Sequence, residues 1–432
     1  MLCDNIDIKN GHLTFAGFDT VDLAKKYGTP LYLLDENKVR EKCRIYINAF
    51  NKYFKEGSKV IYASKAACYK AIYPIIESEG LGIDVVSPGE IYTAVSAGFN
   101  MENAFFQGNN KTDADIEYAI SSRVGYFIVD NIEELNAVDK IAKAHGIRQK
   151  VLLRLTPGID THTYEANQTG KVDSKFGSAI ETGQAKELTI HTLSLKNIDL
   201  RGFHCHIGSQ VFDEDVFERS AAIMLEFIAM AEKELSYKAE FLDLGGGYGV
   251  RYVESDIELD IESKISDVAK AVSGTCLSLG IDIPKIIMEP GRSIVADAGM
   301  TLYTVGTIKK IPGYKNYVSV DGGMSDNPRY ALYRAKYTCL CAGRADEECS
   351  FKCSVVGRCC EDGDKIQEDV YLPSSVCRGD ILAVTTTGAY NYSMASNYNR
   401  IPRPPVVMLS GGESREIVKR ESLEDLTKND LS

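Results

Sequence analysis

A chain of 432 residues predicts two or three domains, each large enough to bury its own core, which excludes a disulfide-stapled mini-protein. With 44% hydrophobic and 25% charged residues it reads as a soluble globular protein, and no stretch approaches the roughly 18–20 apolar residues of a membrane helix. Its 49 basic and 61 acidic residues leave a net charge of −12, which disfavours binding to nucleic acid and points to small molecules or other protein chains as partners.

The chain starts MLCDNIDIKNGHL, with Asp4 and Asp7 where a secretory signal would carry positive charge, so a cytoplasmic location is expected. Five of the twelve cysteines are scattered, and seven fall between Cys339 and Cys377. In a reducing compartment they are read as thiols rather than staples. A helical segment, Val21–Tyr27, precedes a β-like run at Leu31–Leu34, which is in a position to supply a strand to a C-terminal domain.

From about residue 55 to 295, short β-rich runs alternate with helical spacing. The eight runs are Val60–Ala63, Ile83–Val86, Ala104–Gln107, Tyr126–Val129, Val151–Leu155, Gly202–His206, Phe241–Leu244 and Ile286–Glu289. Ile132, Leu135, Val138, Ile141 and Ala142 follow the fourth at helical intervals, as do Phe217, Ala221, Met224, Leu225 and Ile228 after the sixth. Eight strands over about 240 residues are the count and size of a (β/α)8 TIM-type barrel. A doubly wound sheet is the alternative. The barrel is preferred because polar and glycine residues follow almost every run, and a barrel gathers all eight strand ends on one face.

After residue 300, alternating runs such as Leu302–Thr307, Tyr317–Val320, Lys352–Val356 and Ile381–Thr385, with turns at Pro312-Gly313, Asp362-Gly363-Asp364 and Arg378-Gly379-Asp380, predict an all-β domain. The expected organisation is a barrel over residues 36–295 and a β-domain built from 1–35 plus 296–432. The tail from Arg415 is charged and is expected to end in a frayed segment.

Several constellations carry chemistry. Lys65 ends the first barrel run, where desolvation would favour a neutral amine able to form a Schiff base; a surface lysine is the plainer reading. Gly245-Gly246-Gly247-Tyr248-Gly249 follows the seventh run, where barrels place phosphate sites, although a tight turn needs glycine too. Glu289-Pro290-Gly291-Arg292 closes the eighth run and offers an anion for a protonated pyridine nitrogen and a guanidinium for a carboxylate, or else an internal ion pair. In His204-Cys205-His206-Ile207-Gly208-Ser209-Gln210 the two imidazoles share one strand face and lack a third metal ligand at a recognised spacing, so stacking on a planar ring is preferred over zinc. The C-terminal cysteines lack paired C-x-x-C spacing, so no metal is expected there. Cys360-Glu361 beside Asp362-Gly363-Asp364 reads alone as a solvated polar turn.

Together these stretches, with Tyr27-Gly28-Thr29-Pro30-Leu31-Tyr32, Tyr62-Ala63-Ser64-Lys65-Ala66, Asp173-Ser174-Lys175-Phe176-Gly177 and Gly388-Ala389-Tyr390, resemble the fold-type III pyridoxal-phosphate decarboxylases over nearly the whole chain. The resemblance implies pyridoxal 5′-phosphate as cofactor, carried by the amine of Lys65. Glu289 would keep the pyridine nitrogen protonated and His206 would stack on the ring. Ser209, the amides of Gly245, Gly246, Gly247, Gly291 and Arg292, and the hydroxyl of Tyr390 would hold the phosphate.

Arg292, Arg329 and Tyr333, with Tyr390, match positions that bind a second carboxylate on the substrate, and Glu361 would pair a distal ammonium. That set implies decarboxylation of meso-2,6-diaminopimelate to L-lysine and carbon dioxide, the last step of lysine biosynthesis. A decarboxylase of ornithine, arginine or carboxynorspermidine would not want the cationic tail site. The resemblance also implies a homodimer in which Cys360, the proton donor, and Glu361 come from the partner subunit. The turn departs from the family pattern at Arg358, Cys359 and Asp362 while keeping Cys360, Glu361 and Asp364.

Overall fold

The computed structural model describes residues 3–159, 174–213 and 215–431; Asp173 of the motif ending at Gly177 lies outside them. The chain divides into two compact units, one of residues 42–249 and 259–291, the other of residues 1–41, 250–258 and 292–432. Among the described residues no helix is long and apolar enough to cross a membrane.

The first unit is a closed ring of eight parallel strands. In chain order they are Lys59–Ala63, Gly82–Val85, Ala104–Phe106, Tyr126–Val129, Gln149–Thr156, Ile198–His204, Phe241–Asp243 and Lys285–Met288. Each pairs in parallel with the next, and the last pairs with the first through Met288 and Val60, which closes the ring; the short strand Ser178–Ala179 pairs onto Leu155–Thr156 outside it. This closure is the TIM-type barrel and excludes the doubly wound alternative. Ile61, Phe105, Tyr126, Ile128, Leu152, Phe241 and Ile287 fill part of its interior.

Helices form where the apolar spacing and caps predict them. Ile132–Ala144 starts at Asn131, whose side chain accepts from the backbone N–H of Glu134, satisfying a donor that the first turn leaves unpaired. Leu135, Val138, Ile141 and Ala142 are buried along one face, whereas Ile132, expected in that stripe, sits in the first turn and is 40% exposed. Val216–Leu235 buries all five residues read from the spacing.

The second unit is β-rich. Its principal path runs Lys365–Pro373, Cys349–Val356, Lys315–Val320, Gly299–Ile311, Leu31–Asp35, Val406–Ser410 and Glu413–Val418, with Ile381–Thr385 also pairing to Gly299–Ile311. Leu31–Leu34 lies antiparallel to Gly299–Leu302 and parallel to Val406–Met408, so an early segment is a central strand. Ile6–Lys9, His12–Phe15 and Phe18–Asp19 form a separate small sheet.

Two details differ from the sequence expectation. Residues 36–41, 250–258 and 292–295 cluster with the β-rich unit, and Tyr252 shows why for the second segment: it is buried in one apolar cluster with Tyr303, Val318, Tyr337 and Leu382. The tail from Arg415 does not simply fray. Glu413–Val418 is an edge strand on Val406–Ser410, where one row of charged side chains reaches solvent without breaking the ladder.

Candidate active site

Lys65 lies in the single turn Ser64–Ala66 directly after the first barrel strand. Its Nζ stands 3.1 Å from Oδ2 of Asp84 on the second strand; the lysine side chain is 40% exposed and the aspartate fully buried. Burial pushes the Asp84 carboxyl up to about 6, Lys65 pulling it down and Glu289 pushing it further up.

Glu289, at the end of the eighth strand, accepts from Nε2 of Gln107 and lies 3.4 Å from Nε2 of His204. Burial acts to raise its pKa, but His204 and the charge of Lys65 outweigh it and hold Glu289 below the usual carboxylate range. Asp243, beside it on the seventh strand, moves the opposite way, pushed far up by burial and by the charge of Glu289. Repulsion between two acids in one small space thus pushes the pair apart, Asp243 toward the neutral form and Glu289 toward the ionised one. One ligand atom each from His204, Asp243 and Glu289 lie within 4.8 Å of one another. Such a trio offers a cation site in principle, while the upward shift of Asp243 works against an anionic donor there.

His206 lies just past the sixth strand, and burial followed by the charges of Lys65 and Arg154 drives its pKa well below the ordinary value. Its Nδ1 accepts the Gly246 N–H at 3.3 Å, so the neutral ring carries its proton on Nε2.

The glycine run folds too tightly for any side chain. A Cβ on Gly246 would lie 2.1 Å from the carbonyl oxygen of Glu289, and one on Gly247, whose φ is +129°, 2.2 Å from that of Gly208. A Cβ on Gly291 would meet that of Ala63 at 2.9 Å. Among the described residues the N–H groups of Gly247 and Gly291 have no hydrogen-bond acceptor. Free backbone donors in side-chain-free turns are the cradle an anionic phosphate needs. The barrel residues thus fit pyridoxal phosphate: an accessible amine, an ionised carboxylate for a pyridinium, a neutral imidazole and unfilled amide donors.

In the β-rich unit, Arg292 and Arg329 are both buried, and their guanidinium carbons lie 4.8 and 5.2 Å from the centre of the Tyr390 ring. Tyr252 hydroxyl receives a 2.7 Å bond from Arg292, and Tyr333 lies 5.6 Å from Arg329. No carboxylate pairs with Arg329 among the described residues, and its Nε has no acceptor.

The turn bearing Cys360 and Glu361 is held from beneath by Asp364. That carboxylate accepts the N–H groups of Cys359 and Met324, each at 2.6 Å, and a Cβ on Gly357 would fall 2.3 Å from it. Cys360 and Glu361 are exposed, and the Cys360 N–H donates to Asn399 Oδ1 at 2.7 Å. Ser209 follows His206 in the loop after the sixth strand.

Sequence reasoning passed over Asp84, Gln107, Asp243 and Tyr252. The first three had a signal, each being a polar residue within or directly after an apolar β-run, where an unpartnered polar group is costly. Tyr252 had none.

The barrel with a lysine after its first strand and a glycine cradle after its seventh is that of a pyridoxal-dependent decarboxylase: residues 36–296 match the pyridoxal-binding domain of that family. The chain is 46% identical over 424 residues to the diaminopimelate decarboxylase of Staphylococcus aureus (strain COL), covering 98% of both chains. It is equally identical to that of Bacillus subtilis (strain 168), covering 98% of this chain and 96% of the other. The crystal structure of diaminopimelate decarboxylase from M. jannaschii in complex with L-lysine superimposes with a TM-score of 0.91 at 34% identity, covering 99% of this chain and 98% of that one. The chain belongs to the diaminopimelate decarboxylase family. Its cofactor is pyridoxal 5′-phosphate.

Proposed function

We infer that the chain releases carbon dioxide from one end of meso-2,6-diaminopimelate and leaves L-lysine, as the last step of lysine biosynthesis. The observation that carries the substrate is the pair of buried guanidiniums of Arg292 and Arg329 on the single ring of Tyr390, with no carboxylate answering Arg329. Buried charge of one sign calls for a counter-charge, and a planar fork prefers a carboxylate. A substrate that keeps a carboxylate far from the reacting carbon supplies it; a diamine precursor does not.

Bound pyridoxal 5′-phosphate supplies a protonated pyridine ring that accepts the electron pair left when carbon dioxide departs. The chain's residues hold that chemistry in place. Lys65 would hold the cofactor through its amine, whose orientation Asp84 fixes. Glu289 would pair with the pyridine nitrogen, and Asp243, His204 and Gln107 orient the carboxylate. His206, with a neutral imidazole, would stack on the ring without adding a charge that opposes it.

The amides of Gly247, Gly291 and Arg292, with Ser209 and the Tyr390 hydroxyl, bind the phosphate, those of Gly245 and Gly246 being taken by Asp243 Oδ1 and His206 Nδ1. Arg292, Arg329, Tyr333 and Tyr390 bind the substrate, the distal carboxylate falling to the arginines. Glu361 pairs with the distal ammonium, and the Cys360 thiol returns a proton to the carbon that lost carbon dioxide. Cys360 and Glu361 reach the site from a second copy of the chain, so the working unit is a homodimer, acting in the cytoplasm.

The test is carbon dioxide release by the cofactor-loaded protein from meso-diaminopimelate, ornithine, arginine and carboxynorspermidine under identical conditions. Preferential release from diaminopimelate with lysine as product is expected. Preference for a diamine precursor would overturn the tail-carboxylate reading.

A further inference from the structure

The end of the barrel opposite Lys65 carries its own concentration of charge. Lys59 opens the first strand, Lys150 is the second residue of the fifth and Lys285 opens the eighth, so all three stand at strand N-termini. They converge on three touching aromatic rings. Phe105 and Tyr126 stack with centroids 4.4 Å apart, and Phe241 meets Tyr126 edge-on at 6.0 Å. The Lys59 and Lys150 ammoniums lie 5.3 and 5.2 Å from the Tyr126 centroid, and that of Lys285 lies 5.5 Å from the Phe241 centroid.

The nearby carboxylates do not balance these cations. Glu240 is shared between Lys285, at 2.8 Å, and Arg201, while Asp199 pairs with Arg201 at 3.3 Å. Lys59 and Lys150 make no ion pair and no side-chain hydrogen bond among the described residues. Four cations thus face two carboxylates on a chain whose net charge is −12. The electrostatic cost is visible on Lys59, whose pKa is lowered by burial and by the charges of Lys150 and Lys285. The ring faces recover part of that cost, but they cannot hydrogen-bond the ammonium protons. An oxyanion would do both, and the apolar floor beneath keeps water from screening it on one side.

We propose that this pole of the barrel is a binding site for a small phosphate-type oxyanion, held by Lys59 and Lys150 with Lys285 on a third side. It is separate from the cradle that receives the cofactor phosphate, since that cradle lies beyond the opposite strand ends.

The test uses the cofactor-loaded enzyme, whose phosphate cradle is already filled, and titrates it calorimetrically with inorganic pyrophosphate. One saturable site per chain is expected. The double variant Lys59→Met, Lys150→Met should bind about tenfold or more weakly, and Lys59→Arg should retain binding. Carbon-13 labelling of the lysine amines by reductive methylation gives a second readout: pyrophosphate should raise the midpoint at which Lys59 titrates. Absence of saturable heat, or equal affinity in the double variant, would overturn the proposal. Unchanged decarboxylation in that variant shows that the barrel has folded, whatever becomes of the anion.

Discussion

Lys65 and Asp84 form an ion pair, 3.1 Å from Nζ to Oδ2, in which only the lysine is open to solvent. The aspartate is wholly buried, and burial pushes its carboxyl up to about 6, so the pair weakens below that pH. As pH falls through about 6, Asp84 takes up a proton and the amine loses the group that orients it. The acidic limb of kcat/KM should therefore show an apparent pKa near 6. Asp84→Asn keeps the shape and removes the charge; it should cost up to about 100-fold in turnover by misplacing the amine, and flatten that limb. A pH–rate profile of both proteins checks this, and an unchanged acidic limb in the variant would separate Asp84 from the amine's function.

Arg329 offers a specificity test that a purely structural arginine would fail. If Arg329 holds the distal carboxylate as proposed, its truncation to alanine should raise KM for diaminopimelate by about 10- to 100-fold, while kcat changes less. Release from ornithine, which lacks that carboxylate, should not fall in parallel. Steady-state kinetics on both substrates decides it. A matching loss on ornithine would mean that Arg329 merely supports the fold.

Asp326 gives the stability of the β-rich unit a pH dependence of its own. Burial pushes it up to about 7, Tyr303 and the Gly323 N–H pulling it down, and Asp364 and Asp321 pushing it further up. Its oxygens accept from the Tyr303 hydroxyl at 2.5 Å and the Gly323 N–H at 3.0 Å. Since the folded pKa is above the unfolded one, the folded state binds the extra proton between about pH 4 and 7. That stabilisation is full below the unfolded pKa and is lost as pH rises through about 7, with a span on the order of 4 kcal/mol. Denaturant unfolding of the wild type and of Asp326→Asn at pH 5 and pH 8 isolates this share, because the other buried groups, Asp84 and His206 among them, contribute equally to both proteins. Raising the pH should cost the wild type about 2–3 kcal/mol more than the variant; an equal cost would place its source elsewhere.

The sequence carried the barrel because each strand is an apolar run closed by a polar or glycine turn, and both signals are local. Lys65, His206, Glu289 and the glycine run were legible for the same reason, since each ends such a run. The buried polar partners were not, because their meaning comes from pairing around the ring. Gln107 and Glu289 are 182 positions apart, yet their side chains bond. Asp84 alone is an acid inside Ile83-Asp84-Val85, with nothing nearby to say that Lys65 answers it. Tyr252 was invisible for a further reason: it lies in no strand, between barrel elements, yet packs with Tyr303, Val318 and Tyr337, the nearest of them 51 residues further on. The final strand was not picked out because half its residues are charged, and charge on an edge strand looks like charge on a free tail.

Whether Cys360 acts in its own chain's site or its partner's can be decided with two inactive proteins. Cys360 sits exposed on a turn fixed by the two backbone bonds to Asp364, so its thiol can be removed without disturbing a core. Lys65→Ala should have neither the visible absorbance of bound cofactor nor turnover, and Cys360→Ala should keep the absorbance and lose most turnover. If the thiol crosses the dimer interface, a mixed dimer holds one site with both defects and one with neither. Random exchange of equal amounts makes half the dimers mixed, so about one quarter of wild-type activity should return on mixing. A thiol acting within its own chain would leave every site with one defect, and mixing would restore nothing.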